Sequence, residues 1–191
     1  MLPVPRADLK PNTEAFETTP LVAPTGFREY DARWLFPSQI NLRGVQALGL
    51  GLGTLIHEMG IEPKISVGHD FRGYSGSIQQ ALMNGLMGAG CEVFDIGLAL
   101  SPVAYFSQFA LDVPAVAMVT ASHNENGWTG VKMGVERPLT FGPDEMSRLK
   151  QIVLEGAYQT RSGGAYHFIE DMREHYIEDL TNRSKLKRKL K

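Results

Sequence analysis

At 191 residues the chain has room for one ordinary domain and part of a second. Its 43% hydrophobic and 21% charged content is that of a water-soluble globular protein, and a net charge of −2 gives no reason to expect nucleic acid or an anionic membrane as partner. One cysteine, Cys91, excludes an internal disulfide framework. No apolar run approaches the roughly 20 residues of a membrane span, and no secretory signal opens the chain, so the cytoplasm is the expected compartment.

Residues 1–24 are rich in proline, threonine and glutamate and read as an extended leader. From Asn41 to Met59 the residues Leu42, Val45, Leu48, Leu52, Leu55, Ile56 and Met59 recur at helical spacing, with Gly60 as the stop. Gly49, Gly51 and Gly53 lie inside that pattern and are expected to let the helix approach a sheet closely. Their position excludes a dinucleotide fingerprint, which needs a strand-to-helix turn. Lys64 to Gly68 reads as a strand, ending at His69-Asp70-Phe71-Arg72-Gly73. Ser75 or Ser77 is expected to cap a helix through Ile78, Leu82, Leu86 and Met87, stopped by Gly88 and Gly90. Cys91 to Ile96 is a second strand, which makes Cys91 a buried, inert thiol. Ser101-Pro102 opens another helix, since proline is tolerated in a first turn. Pro114 to Val119 and Gly130 to Val135 are further strands, and a helix starts at Gly142-Pro143-Asp144-Glu145 and runs through Met146, Leu149, Ile152 and Val153.

Tyr166 to Leu180 again has helical spacing, at Phe168, Met172, Tyr176, Ile177 and Leu180. The basic tail at residues 183–191 lacks the interleaved aromatics of a nucleic-acid-binding segment. Strand and helix in alternation predict an α/β layered fold, in which the loops after strand C-termini gather the chemistry. Asp70, Arg72 and Ser122 fall in such loops.

The most informative loop is Val119-Thr120-Ala121-Ser122-His123-Asn124-Glu125-Asn126-Gly127-Trp128-Thr129-Gly130-Val131-Lys132. A serine at the end of a buried, β-branched strand is placed to act as a nucleophile or to carry a group. Hydroxyls, amides, an imidazole and a lysine surround it in sequence, a mixture suited to an anion such as a phosphoryl group.

Thr120-Ala121-Ser122-His123-Asn124 resembles the phosphoserine loop of the α-D-phosphohexomutase family, which includes phosphoglucomutases and phosphomannomutases. Other stretches match in the same order. Phe27-Arg28-Glu29-Tyr30-Asp31-Ala32-Arg33 is similar to the family's N-terminal segment, and Gly68-His69-Asp70-Phe71-Arg72 with Ser75-Gly76 to its glycine, aspartate, arginine, serine-glycine turn. Ser101-Pro102 and Gly130-Val131-Lys132 match two more of its motifs. Three positions depart from the pattern: Glu125 stands where proline is usual, Trp34 where glycine is usual, and Trp128-Thr129 precedes Gly130 where asparagine is common. Glu125 adds negative charge near a site for phosphate, which bears on substrate choice more than on reaction class.

The resemblance implies a layered α/β/α domain with a mixed, mostly parallel sheet, the first of four domains. It places an extended leader at 1–24, the phosphoserine domain at 25–163 and the truncated start of a second domain at 164–191. It implies interconversion of hexose 1-phosphate and hexose 6-phosphate of glucose or mannose through phosphoserine and a bisphosphorylated intermediate. Ser122 would carry the phosphate, and Lys132 and Arg33 would flank it as charge-stabilising and proton-transferring groups. His123, counted with Ser122, Lys132 and Arg33 among the catalytic residues, and Asn124 would position loop and substrate, and Tyr30 would line the entrance. The implied cofactors are Mg2+, held in part by the Ser122 phosphate, and a hexose 1,6-bisphosphate. The implied partners are a phosphosugar and the family's C-terminal domains, with no nucleic acid and no membrane.

Plainer readings stand beside these. Asp70 and Arg72 fit a structural ion pair as well as a substrate contact, and His57 and His69 read as polar surface groups. The histidines are scattered and no acidic triplet has ligand spacing, so a metal site is not visible. The family's metal loop and sugar-reading domains lie beyond the residues matched, so the chain by itself is expected to be inactive. A non-catalytic phosphosugar-binding module is the alternative. A serine hydrolase ranks last, because the glycine-flanked nucleophile elbow is absent and the adjacent His123 cannot readily turn back to serve as base.

Overall fold

A computed structural model describes residues 10–184. The extended leader expected up to residue 24 is replaced, over its described part, by ordered structure. Thr13 caps a short helix, α1 (Glu14–Thr18), by accepting the Phe16 amide at 3.4 Å. Phe16, Leu21 and Val22 are buried. Asn41 fastens the segment: its Nδ2 donates to the Phe16 and Thr19 carbonyls at 2.7 Å each, and its Oδ1 accepts from Leu21 N at 3.1 Å. The same Oδ1 accepts from Gly44 N at 2.8 Å and so caps the next helix. Overall composition hid three apolar residues with a place to go.

After a 3-10 turn at Pro24–Gly26 the elements follow as β1 (Asp31–Leu35), α2 (Leu42–Glu58), β2 (Lys64–His69), α3 (Ser75–Gly88), β3 (Glu92–Leu98), α4 (Ser101–Ala110), β4 (Ala115–Val119), β5 (Trp128–Gly134), α5 (Pro143–Glu155), β6 (Ala165–Phe168) and α6 (Met172–Arg183). The six strands form one sheet in the order β1-β5-β4-β2-β3-β6. The β2–β3, β2–β4 and β3–β6 pairs are parallel, and β5 runs antiparallel to both its neighbours. The α/β layered fold with a mixed, mostly parallel sheet is what the chain adopts.

The central strand β4 is buried along its whole length, as a strand covered on both faces must be. Ala115, Ala117 and Val119 join the larger core with α2, α3 and α5, whereas Val116 and Met118 face the smaller core with α4 and Met172 of α6. The α2 glycines serve helix-to-helix packing, not the helix-to-sheet approach expected. A Cβ on Gly49 would stand 2.2 Å from the Leu82 carbonyl oxygen of α3, and one on Gly51 2.4 Å from Val153 of α5.

Three expectations need correction. β1 was not foreseen: its five residues carry Asp31 and Arg33 between apolar positions, a pattern short of clear alternation. Ser75 opens α3 but makes no capping bond; its hydroxyl donates to Asp70 Oδ1 at 2.6 Å. Tyr166 to Leu180 is not one helix, because residues 165–168 pair with β3 from Glu92↔Ala165 to Asp95↔Phe168. Those residues, assigned from sequence to a second domain, extend the first sheet. The basic tail lies beyond the described residues from 185 onward. Among the described residues no helix is long and apolar enough to cross a membrane.

Candidate active site around Ser122

The loop joining β4 to β5 leaves the sheet at Thr120, whose amide still donates to the Gly130 carbonyl at 2.9 Å. Glycine is required at 130, since a Cβ there would stand 2.3 Å from the Ala32 carbonyl oxygen of β1. Ser122 is exposed and adopts φ 55°, a left-handed conformation uncommon outside glycine. Its amide donates to Thr120 Oγ1 at 3.0 Å. Its hydroxyl has only one neighbour of note among the described residues, His123 Nδ1 at 3.5 Å, which is the limit of a hydrogen bond. The serine is thus held by its backbone and presents its Oγ to solvent.

The loop after β2 does much of the holding. Asp70 and Arg72 form an ion pair with both side chains at or below 10% exposure. The other end of the guanidinium, Nη2, donates to the Asn124 carbonyl at 2.7 Å and the Ser122 carbonyl at 3.3 Å. Burial alone would raise the Asp70 carboxyl. Hydrogen bonds from the Ser75 hydroxyl, the Arg72 amide and the Thr120 hydroxyl, with the Arg72 charge, more than offset it and hold the group below its ordinary value. Two residues on, the Tyr74 hydroxyl accepts from Gly127 N at 2.7 Å and donates to the Trp128 carbonyl at 2.9 Å. Its ring stacks on Phe36 at 5.5 Å, and Phe36 N donates to the Gly127 carbonyl at 2.8 Å. The serine loop is therefore gripped near both ends, with Glu125 and Asn126 exposed between.

The cations come from the two strands on the other side. Arg33 of β1 donates through Nε and Nη2 to Asp31 Oδ2 at 3.0 and 2.8 Å, and through Nη1 to Asn124 Oδ1 at 2.6 Å. Lys132 of β5 lies opposite Asp31 in the ladder, with Nζ 4.0 Å from the same Oδ2. Residues 31 and 33 share one face of β1 by strand periodicity, and the register brings 132 to it. One buried carboxylate thus collects two cations beside the serine loop.

The structure brings Ser122, His123, Asn124, Arg33, Asp70 and Arg72 into one bonded group, with Lys132 joined to it through Asp31. Tyr30 is 61% exposed and makes no side-chain hydrogen bond among the described residues. Asp70 and Arg72 are a loop-supporting ion pair, with both terminal nitrogens of the arginine engaged by protein groups. His57 and His69 are only partly exposed, and each bonds a backbone carbonyl: His57 Nε2 to Ala89 at 3.0 Å and His69 Nδ1 to Asp70 at 2.7 Å. Cys91 is buried, and burial pushes its thiol up to about 12, which makes it inert at neutral pH. Trp34, at the position of a usual glycine, is a core residue that donates from Nε1 to the Ala23 carbonyl at 2.8 Å.

Sequence reasoning missed three members of the site. Asp31 lies in the Phe27–Arg33 motif, where the signal for it is that a carboxylate two residues before an arginine on a strand shares its face. Thr120 stands in the serine motif with no signal of its own. Tyr74 carries no local signal, because the hydrogen-bond partners of its hydroxyl are more than fifty positions away. Among the described residues no group of three histidine, cysteine, aspartate or glutamate side chains could hold a metal ion. The residues present therefore do not make a complete magnesium site. No carboxylate pairs with His123 among the described residues either, so the base-orienting arrangement of a serine hydrolase is not built here.

Comparison with known proteins identifies the family to which this fold belongs. Residues 24–160 match the family described as phosphoglucomutase/phosphomannomutase, alpha/beta/alpha domain I. A phosphomannomutase of Vibrio cholerae is 36% identical over 110 residues, covering 57% of this chain and 24% of that protein. A probable phosphoglucosamine mutase of Pyrococcus furiosus is 36% identical over 112 residues, covering 59% of this chain and 24% of that protein. The solved structure of a phosphoglucomutase/phosphomannomutase family protein from Burkholderia thailandensis superposes with a TM-score of 0.78 at 26% identity, over 87% of this chain and 37% of that one. The match thus spans about a quarter to somewhat over a third of these relatives' own length. Since the family match takes in most of the chain, including β1, the β2–α3 loop and the whole Ser122 loop, the chain belongs to the phosphoglucomutase/phosphomannomutase family.

Proposed function

We propose that the protein is a phosphohexomutase in which Ser122 carries the phosphoryl group. The observation that carries this reading is the backbone-held serine with its hydroxyl free, beside two cations that share the Asp31 carboxylate. Phosphoryl transfer depends mainly on positioning and charge neutralisation, and this arrangement supplies both. In the forward step the Ser122 Oγ–P bond breaks as a hexose hydroxyl bonds to phosphorus; the hydroxyl proton passes to a base of the site, and the departing Oγ takes up a proton to become the serine hydroxyl. The bisphosphorylated sugar then turns over; the serine hydroxyl gives its proton to a base of the site as Oγ bonds to the other phosphorus, and the sugar oxygen of the broken O–P bond takes up a proton. Lys132 and Arg33 stabilise charge on the transferring group and serve proton transfer, a role worth roughly 10²–10⁴-fold. Asn124 couples the loop to Arg33, His123 stands beside Oγ, and Tyr30 lies at the entrance to the site.

Magnesium belongs to this reading as a neutraliser of phosphate charge, with ligands beyond the phosphoserine supplied from outside the described residues. The substrates are cytoplasmic hexose phosphates of glucose, mannose or glucosamine, the three sugars in the relatives' names. A second reading, a phosphosugar-binding module without turnover, is favoured for the isolated chain by the lack of a metal-holding cluster among the described residues.

Intact mass and site mapping test the proposal, on protein purified from cells and again after incubation with glucose 1,6-bisphosphate and magnesium. The expected result is one phosphate on Ser122, absent in Ser122→Ala, with negligible conversion of glucose 1-phosphate to glucose 6-phosphate by the 191-residue chain alone. A wild-type chain with no phosphate on Ser122 after both treatments would count against the carrier role. Robust conversion by the purified chain would overturn its expected inactivity.

A further inference from the structure

We propose that Thr120 is a positioning residue for Ser122, its hydroxyl holding the serine amide so that the left-handed backbone which presents Oγ to solvent is kept. The proposal rests on the reading of Ser122 as the phosphoryl carrier and adds a residue to it. Three observations support it. Thr120 is only 8% exposed, and its Oγ1 accepts the Ser122 amide at 3.0 Å. The Ser122 carbonyl is held from the other side by Arg72 Nη2 at 3.3 Å. Arg72 is itself fixed by the Asp70 carboxylate, and the Asp70 amide donates to the carbonyl of Val119, next to Thr120, at 2.9 Å.

Ser122 is thus held at both of its peptide groups: the amide by Thr120 and the carbonyl by Arg72, which Asp70 anchors. A non-glycine residue at φ 55° persists only where its surroundings over-determine it. These two holds supply that constraint without using the serine hydroxyl, so Oγ can gain and lose a phosphoryl group with neither of them broken. Thr120 has the means to do this because its own amide stays in the ladder to Gly130 at 2.9 Å, which fixes its backbone to the sheet.

The test compares Thr120→Val, which keeps the branched shape and removes the hydroxyl, with Thr120→Ser, which restores it. Amide hydrogen exchange is followed by NMR in the 191-residue chain. Ser122 should exchange about five- to tenfold faster in Thr120→Val, the loss expected for one hydrogen bond, while the buried strand amides of Val67 and Ala117 stay as protected as in wild type. Thr120→Ser should return Ser122 to near the wild-type rate. Unchanged exchange at Ser122 in Thr120→Val, or no recovery in Thr120→Ser, would overturn the proposal. If Thr120→Val does not fold, Thr120→Ala is read in the same way. Phosphate uptake by Ser122 from glucose 1,6-bisphosphate, followed by 31P NMR, is measured in parallel. Absence of uptake in the wild-type chain counts against the carrier reading alone, because the exchange rates decide the positioning role.

Discussion

Asp31 and Lys132 face one another across the β1–β5 ladder, and the lysine ammonium lies 4.0 Å from the carboxylate oxygen that also receives Arg33. The aspartate is buried, so the two cations hold a charge that water does not reach. Removing the carboxylate leaves Arg33 and Lys132 as neighbouring like charges with their common partner gone. Asp31→Asn should therefore destabilise the chain by roughly 2 kcal/mol, less than the loss for a fully buried pair because Lys132 keeps partial access to water. It should also free the Arg33 guanidinium from its place against Asn124. Urea unfolding measures the first effect and the chemical shift of the Arg33 Nε proton the second. A variant as stable as wild type would show that the carboxylate does not hold these cations.

The held-down carboxyl of Asp70 gives stability a defined pH dependence. Its folded pKa lies below the unfolded value, near 3.8, so between the two the unfolded chain binds more protons than the folded one. Stability from this group is fully present above the unfolded value and is lost as pH falls through the folded one. Wild type should accordingly exceed Asp70→Asn in stability at neutral pH, and the gap should narrow only as pH drops below about 4. Urea unfolding of both proteins between pH 7 and pH 3 measures this gap. A gap that stays constant into acid would show that the carboxylate's charge is not what stabilises the loop.

Much of this was legible in sequence because the signals were local. The α2 periodicity from Leu42 to Ile56, the β-branched run into β4 and the motif around Ser122 each lie within one element or one turn. What escaped was set by partners distant along the chain. Phe16 and Leu21 are ordered by the single side chain of Asn41, twenty or more positions on. β6 is a strand because the β3 edge was free to pair, although Phe168 also fits a helical repeat with Met172. Asp31 acquired its role from register: only when β1 lies against β5 does Lys132 stand opposite it.

Tyr74 illustrates the same lesson and can be tested cleanly. Its ring stacks on Phe36, whereas its hydroxyl alone makes the two bonds to Gly127 and Trp128. Tyr74→Phe keeps the stack and removes both bonds, so it should cost about 1–2 kcal/mol. Exchange at the Gly127 amide should rise while the β2 and β4 amides hold. Thermal unfolding with site-resolved exchange reads both effects, and a Gly127 amide as protected as in wild type would place the grip elsewhere, for instance on the Phe36 amide.

Thr129 offers a prediction in the opposite direction. It sits one residue into β5, opposite Trp34 of β1, and its side chain points to the same face as the core residues Val131 and Met133. It is 2% exposed, and its Oγ1 has no hydrogen-bond partner among the described residues. A buried hydroxyl left unpaired costs free energy, and replacing it by a methyl of similar shape removes the cost without opening a cavity. Thr129→Val should raise stability by about 1 kcal/mol, or about 2–4 °C in Tm for a chain of this size. Because the hydroxyl points away from the face that carries Asp31, Arg33 and Lys132, the same variant should leave the phosphorylation of Ser122 unchanged. A fall in Tm would mean that the hydroxyl has a partner, and altered phosphate uptake would mean that it reaches the site.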